Sequence, residues 1–574
     1  MVMPWLILAE MPRPRIPSWL LPVLVLALAT ARLCAAEAEP GQCAQSTAPA
    51  GSFFYKQHYD PAPLPQYDQL RAQLPAPILD DHPLWVETYW KAWQLAFTNF
   101  NEPAPGSGFV SQFIDASFNQ NIFLWDSSFM SMFANVAAPL VPGISSLDNF
   151  YARQHSDGEI AREIVRKSGD DYEYWVNEAC QPLFSRLGWR DFSWSGMKNR
   201  LPVSYQGRAP PLPYPVLTLD ALDNPVLAWA ELESYRYTGD KQRLRQVWEP
   251  LRRYYLALQK YLQQGNGLYL TDWASMDNSQ RNPFLQDGGT AIDTSAQMAL
   301  FARQLGELAQ ILDLPEAQRY RDEADALARN INQHMWDPAR HFYFDLTLHG
   351  ERAPVKTIAA YWSLIARVAS AQQARALVAE LRDPRTFGRP NAVPTLAADE
   401  AQYDRHGGYW NGSVWAPTTT MVIRGLENYG YDALARELAL NHVDLIARVY
   451  HSTGTIWENY APEEAAPGKP AQADFVGWSG IGPILYLLEY GVGLRPDAAA
   501  NELSWALETG GRAGCEHYRF NGHVLSLVAE PASGALHRRR LTIDSDGSWR
   551  LTVHHRGRTK RYEIHKGRQQ FTLW

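Results

Sequence analysis

From about residue 82 to residue 493 apolar positions recur at helical spacing. The stretch "NPVLAWAELESYRYTGD" (224–240) opens on Asn-Pro and stops at Gly239. Its apolar residues Val226, Leu227, Trp229, Ala230 and Tyr237 fall on roughly one face. "DKQRLRQVWEPLRRYYLALQKYLQQ" (240–264) follows as an antiparallel partner. The rhythm returns at "TAIDTSAQMALFARQLGELAQIL" with "PEAQRYRDEADALARNINQHMW", at 355–381, and at "SVWAPTTTMVIRGLENYG" with "YDALARELALNHVDLIARVY". About a dozen helices are predicted. The pairing repeats while the sequence does not, which sets aside an α-solenoid. The expected fold is mainly α, an (α/α)6 toroid over 82–494 with a small C-terminal β-sandwich. That sandwich, 495–574, rests on alternating runs such as "HYRFNGHVLSLVAE" and "KRYEIHKGRQQFTLW", broken at Gly, Asn and Asp.

The N-terminal pattern is of another kind. "MPRPR" is a basic start, "WLLPVLVLALA" an apolar run, and "LCAAEAE" offers small residues for cleavage. Residues 1–37 are predicted to be a signal peptide, so the mature chain is expected in the periplasm or medium, without stable membrane insertion. Residues 38–81, rich in Pro, Ala and Gln, read as a linker and extended lead-in. Cleavage leaves Cys43, Cys180 and Cys515, an odd number, so at most one disulfide forms.

Composition changes the picture in one respect. Of 574 residues, 12% are aromatic, with 21 Trp and 28 Tyr. Flat aromatic faces suit the C–H faces of sugars as well as core packing. The net charge of −8 argues against a nucleic-acid partner. A basic tail, with ten Lys/Arg from Arg538 to Arg568 against three acids, reads first as solvated strand faces and second as a polyanion contact. No CxxC, HExxH or GxxxxGK motif occurs, so neither metal nor cofactor is predicted.

Three loops combine Trp with a carboxylate or carboxamide: "NIFLWDSSFM" (121–130), "TDWASMDNSQRNP" (271–283), and "GGYWNGSVWAP" (407–417) with "GTIWENYAP" (454–462). Each has a structural reading too. Trp125 and Asp126 fit a core Trp beside a helix cap, with the helix starting at Ser127. Asp277 and Asn278 fit an Asx-turn, and Asp272 a cap. Asn411-Gly412 is an ordinary turn pair, and Glu458 fits an ion pair. Asp157 and Arg162 fit a solvated helix start as well as a site.

Together the loops resemble the clan of inverting glycosidases that contains trehalases and family 63 α-glucosidases, above all bacterial family 63 proteins of the mannosylglycerate and glucosylglycerate hydrolase type. "IFLWDSSFM" is similar to the trehalase "YYWDSYW", "GGYWNGSVWAP" to "QWDYPNGWAP", "ASMDNSQR" to "SGWDFSSR", and "ENY" to "EKY". "RQHSDGEIAREI" (153–164) and "DFVGWSGIGPI" (474–484) are similar to the bacterial proteins. The resemblance covers roughly 85–493. Asn278 and Ser279 replace the trehalase pair after the acid, "NGSVWAP" carries an extra residue, and "GKPAQADFVGWSG" stands near the place of the trehalase "GGGGEY" loop. These departures bear on trehalose as a substrate and leave the acid and base positions untouched.

The resemblance implies an exported glycoside hydrolase that cleaves an α-linked glucoside or mannoside with inversion. It makes Asp277 the general acid and Glu458 the general base, with Trp457 and Tyr460 flanking the base. Trp125 and Asp126 would bind the sugar, Arg281 would meet hydroxyls or position Asp277, and Tyr409, Trp410, Asn411, Trp415 and Trp457 would line the pocket. The expected partner is an oligosaccharide or small glycoside. Two alternatives stay open: an epimerase or lyase using His406, His442 or His451, and a non-catalytic carbohydrate-binding protein.

Overall fold

The computed structural model describes residues 51–116, 119–155, 158–171, 176–177, 216–217, 225–271, 276–285, 289–532 and 538–573. The expected signal peptide, Cys43, Cys180, Asp157 and Asp272 lie outside the described residues. The described residues belong to one compact unit, Ser46–Trp574.

The main helices, in chain order, are α1 (Pro83–Phe97), α2 (Leu124–Ala134), α3 (Leu227–Thr238), α4 (Lys241–Leu262), α5 (Ile292–Ile311), α6 (Ala317–His334), α7 (Trp362–Ile365), α8 (Ala371–Arg382), α9 (Ala416–Glu427) and α10 (Asp432–Thr453). A π-helix, Gly482–Val492, follows. Their ends obey local chemistry. Gly239 closes α3 and Gly454 closes α10 in the left-handed conformation that glycine adopts without penalty. Asp240 caps α4 by accepting from the Arg243 N–H at 2.9 Å. Ser370 and Gln373 form a reciprocal capping box on α8.

The helices alternate in character. α3, α5 and α9 are buried along most of their length, whereas α4, α6 and α8 keep a wet face. Of the pairs predicted from sequence, α3 packs with α4, α5 with α6, and α9 with α10. A helix buried all round must be covered by neighbours, and its amphipathic partner supplies the outer cover.

The strands of the two larger sheets are β1 (Ala76–Leu79), β2 (Leu494–Asp497), β3 (Glu502–Ala506), β4 (Ala513–Phe520), β5 (His523–Ala529), β6 (Arg539–Ser545), β7 (Trp549–His555), β8 (Arg558–Ile564) and β9 (Gly567–Leu573). They make a five-stranded sheet, β1-β4-β5-β6-β9, and a four-stranded sheet, β2-β3-β7-β8. All neighbours are antiparallel except β3 and β7. Strand β1 comes from the extended lead-in and pairs Ala76 with Glu516 and Leu79 with Ala513. The π-helix packs against β1 and β4, and the Trp505 indole donates to the Val492 carbonyl at 3.0 Å. Cys515 is a buried free thiol on β4.

Candidate active site

Helix pairing explains how distant loops meet. The loop 407–415 precedes α9, and the chain returns through α10 to 454–462 at the same end. There Val414 and Tyr460 exchange backbone hydrogen bonds of 2.8 and 3.1 Å. Asp126 stands in the first turn of α2, and the segment 276–282 lies ahead of α5. The candidate residues therefore gather at the N-terminal ends of the buried helices. Helix α2 begins at Leu124, earlier than expected, so Asp126 lies inside the first turn and is not the cap.

Gly407, Gly408 and Tyr409 run through three successive positive φ angles of 114°, 56° and 62°. Glycine does this freely, but the same conformation costs Tyr409 about 1–3 kcal/mol. The strained turn aims the Tyr409 hydroxyl, which donates to Glu458 Oε1 at 2.9 Å. Glu458 Oε2 accepts from the Gln472 N–H at 3.0 Å. The Glu458 backbone is pinned as well. Its N–H donates to the Gln472 carbonyl at 2.9 Å, and its carbonyl accepts from Trp478 Nε1 at 2.9 Å and Ser479 Oγ at 3.1 Å.

Glu458 is only 4% exposed. Burial pushes its carboxyl above the usual range, the bonds from Gln472 and Tyr409 pull it back, and the Asp277 charge pushes it up again. Burial also raises the Tyr409 phenol, and the charges of Glu458, Asp277 and Asp126 add to that rise. Three carboxylates thus act on one phenol. Among the described residues no three His, Cys, Asp or Glu side chains gather to hold a metal ion.

Asp277 is exposed on a short turn that is clasped to the neighbouring loop. Asn278 Oδ1 accepts from the Trp410 N–H at 2.9 Å, and its Nδ2 donates to the Gly408 carbonyl at 3.0 Å. In return, Asn411 Oδ1 accepts from the Gln280 N–H at 3.0 Å, and its Nδ2 donates to the Asn278 carbonyl at 2.9 Å. Both ends of the Asn411 amide are used in this clasp, so it braces the loop. Arg281 meets two buried carboxylates, Asp293 and Asp345. Its guanidinium is completely buried, and it donates to Asp293 at 2.5 Å and Asp345 at 3.4 Å. Burial raises the Asp345 carboxyl, against the pull of Arg281.

The tryptophans divide by depth. Trp415 is 1% exposed, stacked on Trp410 with ring centroids 4.3 Å apart, and donates to the Tyr409 carbonyl at 3.2 Å. It backs Trp410 and is covered itself. Trp125 packs edge-on against Phe129 at 4.7 Å and is largely buried. Trp457 is half-buried, its indole donating to Thr453 Oγ1 at 3.1 Å. Tyr460 accepts from the Trp457 N–H. The side chain and backbone that hold the Glu458 carboxylate are thus Tyr409 and Gln472, not the flanking aromatics expected from sequence. Gln472, Trp478 and Ser479 were not among the predicted site residues. The last two sit in "DFVGWSGIGPI", a segment already similar to the bacterial proteins, whereas Gln472 acts through its backbone and left no signal. His442 is buried in the core beside Tyr460 and Tyr486, and burial lowers it to about 4.

Comparison with known proteins bears on this geometry. Residues 216–479 match the family model described as the mannosylglycerate hydrolase MGH1-like glycoside hydrolase domain. An uncharacterized protein of Borreliella burgdorferi is 30% identical over 250 residues, 42% of this chain and 52% of its own length. The periplasmic trehalase of Pseudomonas aeruginosa is 30% identical over 187 residues, 31% of this chain and 32% of its own. The crystal structure of GH63 mannosylglycerate hydrolase from Thermus thermophilus in complex with glucose superposes with a TM-score of 0.51 at 18% identity, covering 69% of this chain and 98% of that one. The match thus spans about half the length of the first relative and a third of the second, and the likeness to the solved structure is one of fold. Residues 216–479 are a glycoside hydrolase domain of the clan that holds trehalases and family 63 α-glucosidases, as the motifs imply.

Proposed function

We propose that the protein is an exported glycoside hydrolase that cleaves an α-linked glucoside or mannoside with inversion. The observation that carries this reading is the buried Glu458 carboxylate, oriented by Tyr409 and Gln472 and acted on by the charge of Asp277. Asp277 gives its proton to the glycosidic oxygen as the C1–O bond breaks. Glu458 takes a proton from a water whose oxygen bonds to C1 from the opposite face. The acid is left ionised and the base protonated, and proton exchange with solvent restores both. Inversion asks for carboxyl groups about 6.5–9.5 Å apart, with room for that water. Burial and the Asp277 charge raise the Glu458 carboxyl, and the bonds from Gln472 and Tyr409, which favour the ionised form a base needs, oppose that rise.

The alternation of buried and half-wet helices supports an (α/α)6 toroid over 82–494, with the β-sandwich from 495 as its buttress. The signal-like N-terminus and the likeness to a periplasmic trehalase support export to the periplasm or medium. The Thermus mannosylglycerate hydrolase and the trehalase relatives favour a small α-glucoside or α-mannoside over a long polymer.

Proton NMR of the purified protein with trehalose, kojibiose, nigerose, maltose, glucosylglycerate and mannosylglycerate tests the reading. A β-anomer should appear first, and Asp277→Asn and Glu458→Gln should each lower turnover by about 10²–10⁴-fold with the fold kept. An α-anomer released first, or substantial activity in both folded variants, refutes the assignment.

A further inference from the structure

A cleft of about 390 Å³ lies away from Glu458, where the turn between α3 and α4 meets the β4–β5 hairpin. Its walls are fixed: the Asn521 N–H donates to the Tyr237 carbonyl at 2.7 Å, and Asn521 Nδ2 donates to Asn501 Oδ1 at 2.8 Å. It shares no residue with the site around Glu458.

Asn135 lines this cleft and is 2% exposed, yet neither its Oδ1 nor its Nδ2 has a hydrogen-bond partner among the described residues. Arg519, also in the lining, keeps a buried Nε–H that is equally unpartnered. Proteins rarely bury such groups unpaired, because each forfeits its bonds to water. An unpaired carboxamide offers an acceptor and two donors in one place. That mixture matches neighbouring hydroxyls, which each donate and accept. The lining carries one carboxylate, Asp240, and one guanidinium, Arg519, so it favours neither an anion nor a cation. The Asp240 carboxylate spends one oxygen on capping α4. The His523 ring is engaged by Asp546 at 3.2 Å. Phe520 and Pro139 add the apolar surface that a pyranose presses its C–H face against.

We propose that this cleft is a second, non-catalytic site that binds one neutral sugar unit. Such a unit arrives either as a free monosaccharide or as part of a glycan chain, and both present the same ring of hydroxyls. The proposal stands independently of the hydrolase reading.

Isothermal titration of the full chain with glucose, mannose and the neutral trisaccharide maltotriose tests it, in the wild type, Trp410→Ala and Arg519→Gln. Trp410→Ala should retain a class of sugar binding that Arg519→Gln weakens at least tenfold, while Arg519→Gln keeps kcat on a small substrate. Monosaccharides binding as well as maltotriose identify a free-sugar site; maltotriose alone identifies a glycan anchor. In thermal melts Asn135→Leu should raise Tm without sugar, by removing the unpaired amide, and should abolish the Tm increment that sugar gives the wild type. If Asn135→Leu does not fold, Arg519→Gln decides alone. Sugar binding lost entirely in Trp410→Ala and unchanged in Arg519→Gln overturns the proposal. So does the absence of saturable heat with all three probes in the wild type.

Discussion

Glu458 holds its position through two donors of different kind. The Gln472 N–H belongs to the backbone and cannot be removed without disturbing the loop, whereas the Tyr409 hydroxyl is a side chain and can be. Donation to a carboxylate stabilises its ionised form. Tyr409→Phe should therefore raise the Glu458 pKa and move the acidic limb of the kcat/KM profile upward by about one unit. A pH–rate profile that stays in place would show that the phenol does not serve the base. Stability follows the same group with its own sign. The folded-state pKa of Glu458 is raised, so its favourable contribution is full below the unfolded value of about 4.3 and is lost as pH rises through the folded value. Glu458→Gln keeps both contacts, since its amide donates to the tyrosine oxygen and its carbonyl accepts from Gln472. Its Tm relative to wild type should rise as pH goes from 4 to 7, even as activity disappears.

At the scale of elements, the two loops that carry Asp277 and Tyr409 are joined by a reciprocal pair of asparagines. Asn278 and Asn411 each bond to the other's loop, so losing either frees the same turn. Asn278→Ala should lower kcat about tenfold with little change in Tm. The double variant with Asn411→Ala should be far from additive, as expected for two residues acting as one unit. Additive effects in that cycle would mean that the clasp does not position Asp277. This level was only partly legible beforehand. Helix pairs, their glycine stops and the residues Asp277, Tyr409 and Glu458 show in spacing and motif. The clasp does not, because Asn-Gly reads as a turn wherever it occurs. Arg281 read as a sugar contact or a positioner of Asp277 because its position follows the acid. Only the fold shows that Asp293, inside α5, and Asp345, more than sixty residues on, enclose it.

For the whole molecule, the β-sheets are tied to the helices at several points. The lead-in gives β1 to the C-terminal sheet, the π-helix packs on that sheet, and Trp505 bonds to the last turn of the π-helix. A chain ending after Gly493 strips β1 of its partner and exposes the apolar π-helix, which is buried along its length. It should aggregate, or melt well below the full protein by circular dichroism. A truncated chain that melts like the intact one would make the C-terminal sheets a detachable appendage. The sequence assigned the tail to strands correctly from their alternation. It left β1 as lead-in because four residues with two prolines nearby carry no period to read.

Strand β1 also sets an order of events during synthesis. The Asp81 carboxylate just beyond it accepts from the Gly511 N–H, 430 residues later in the chain. At the usual pace of translation, about 5–20 residues per second, roughly 20–90 s pass between the emergence of the two. Throughout that interval the helices are made while one edge of the future sheet waits unpaired. Closing it becomes possible only once β4 has been made.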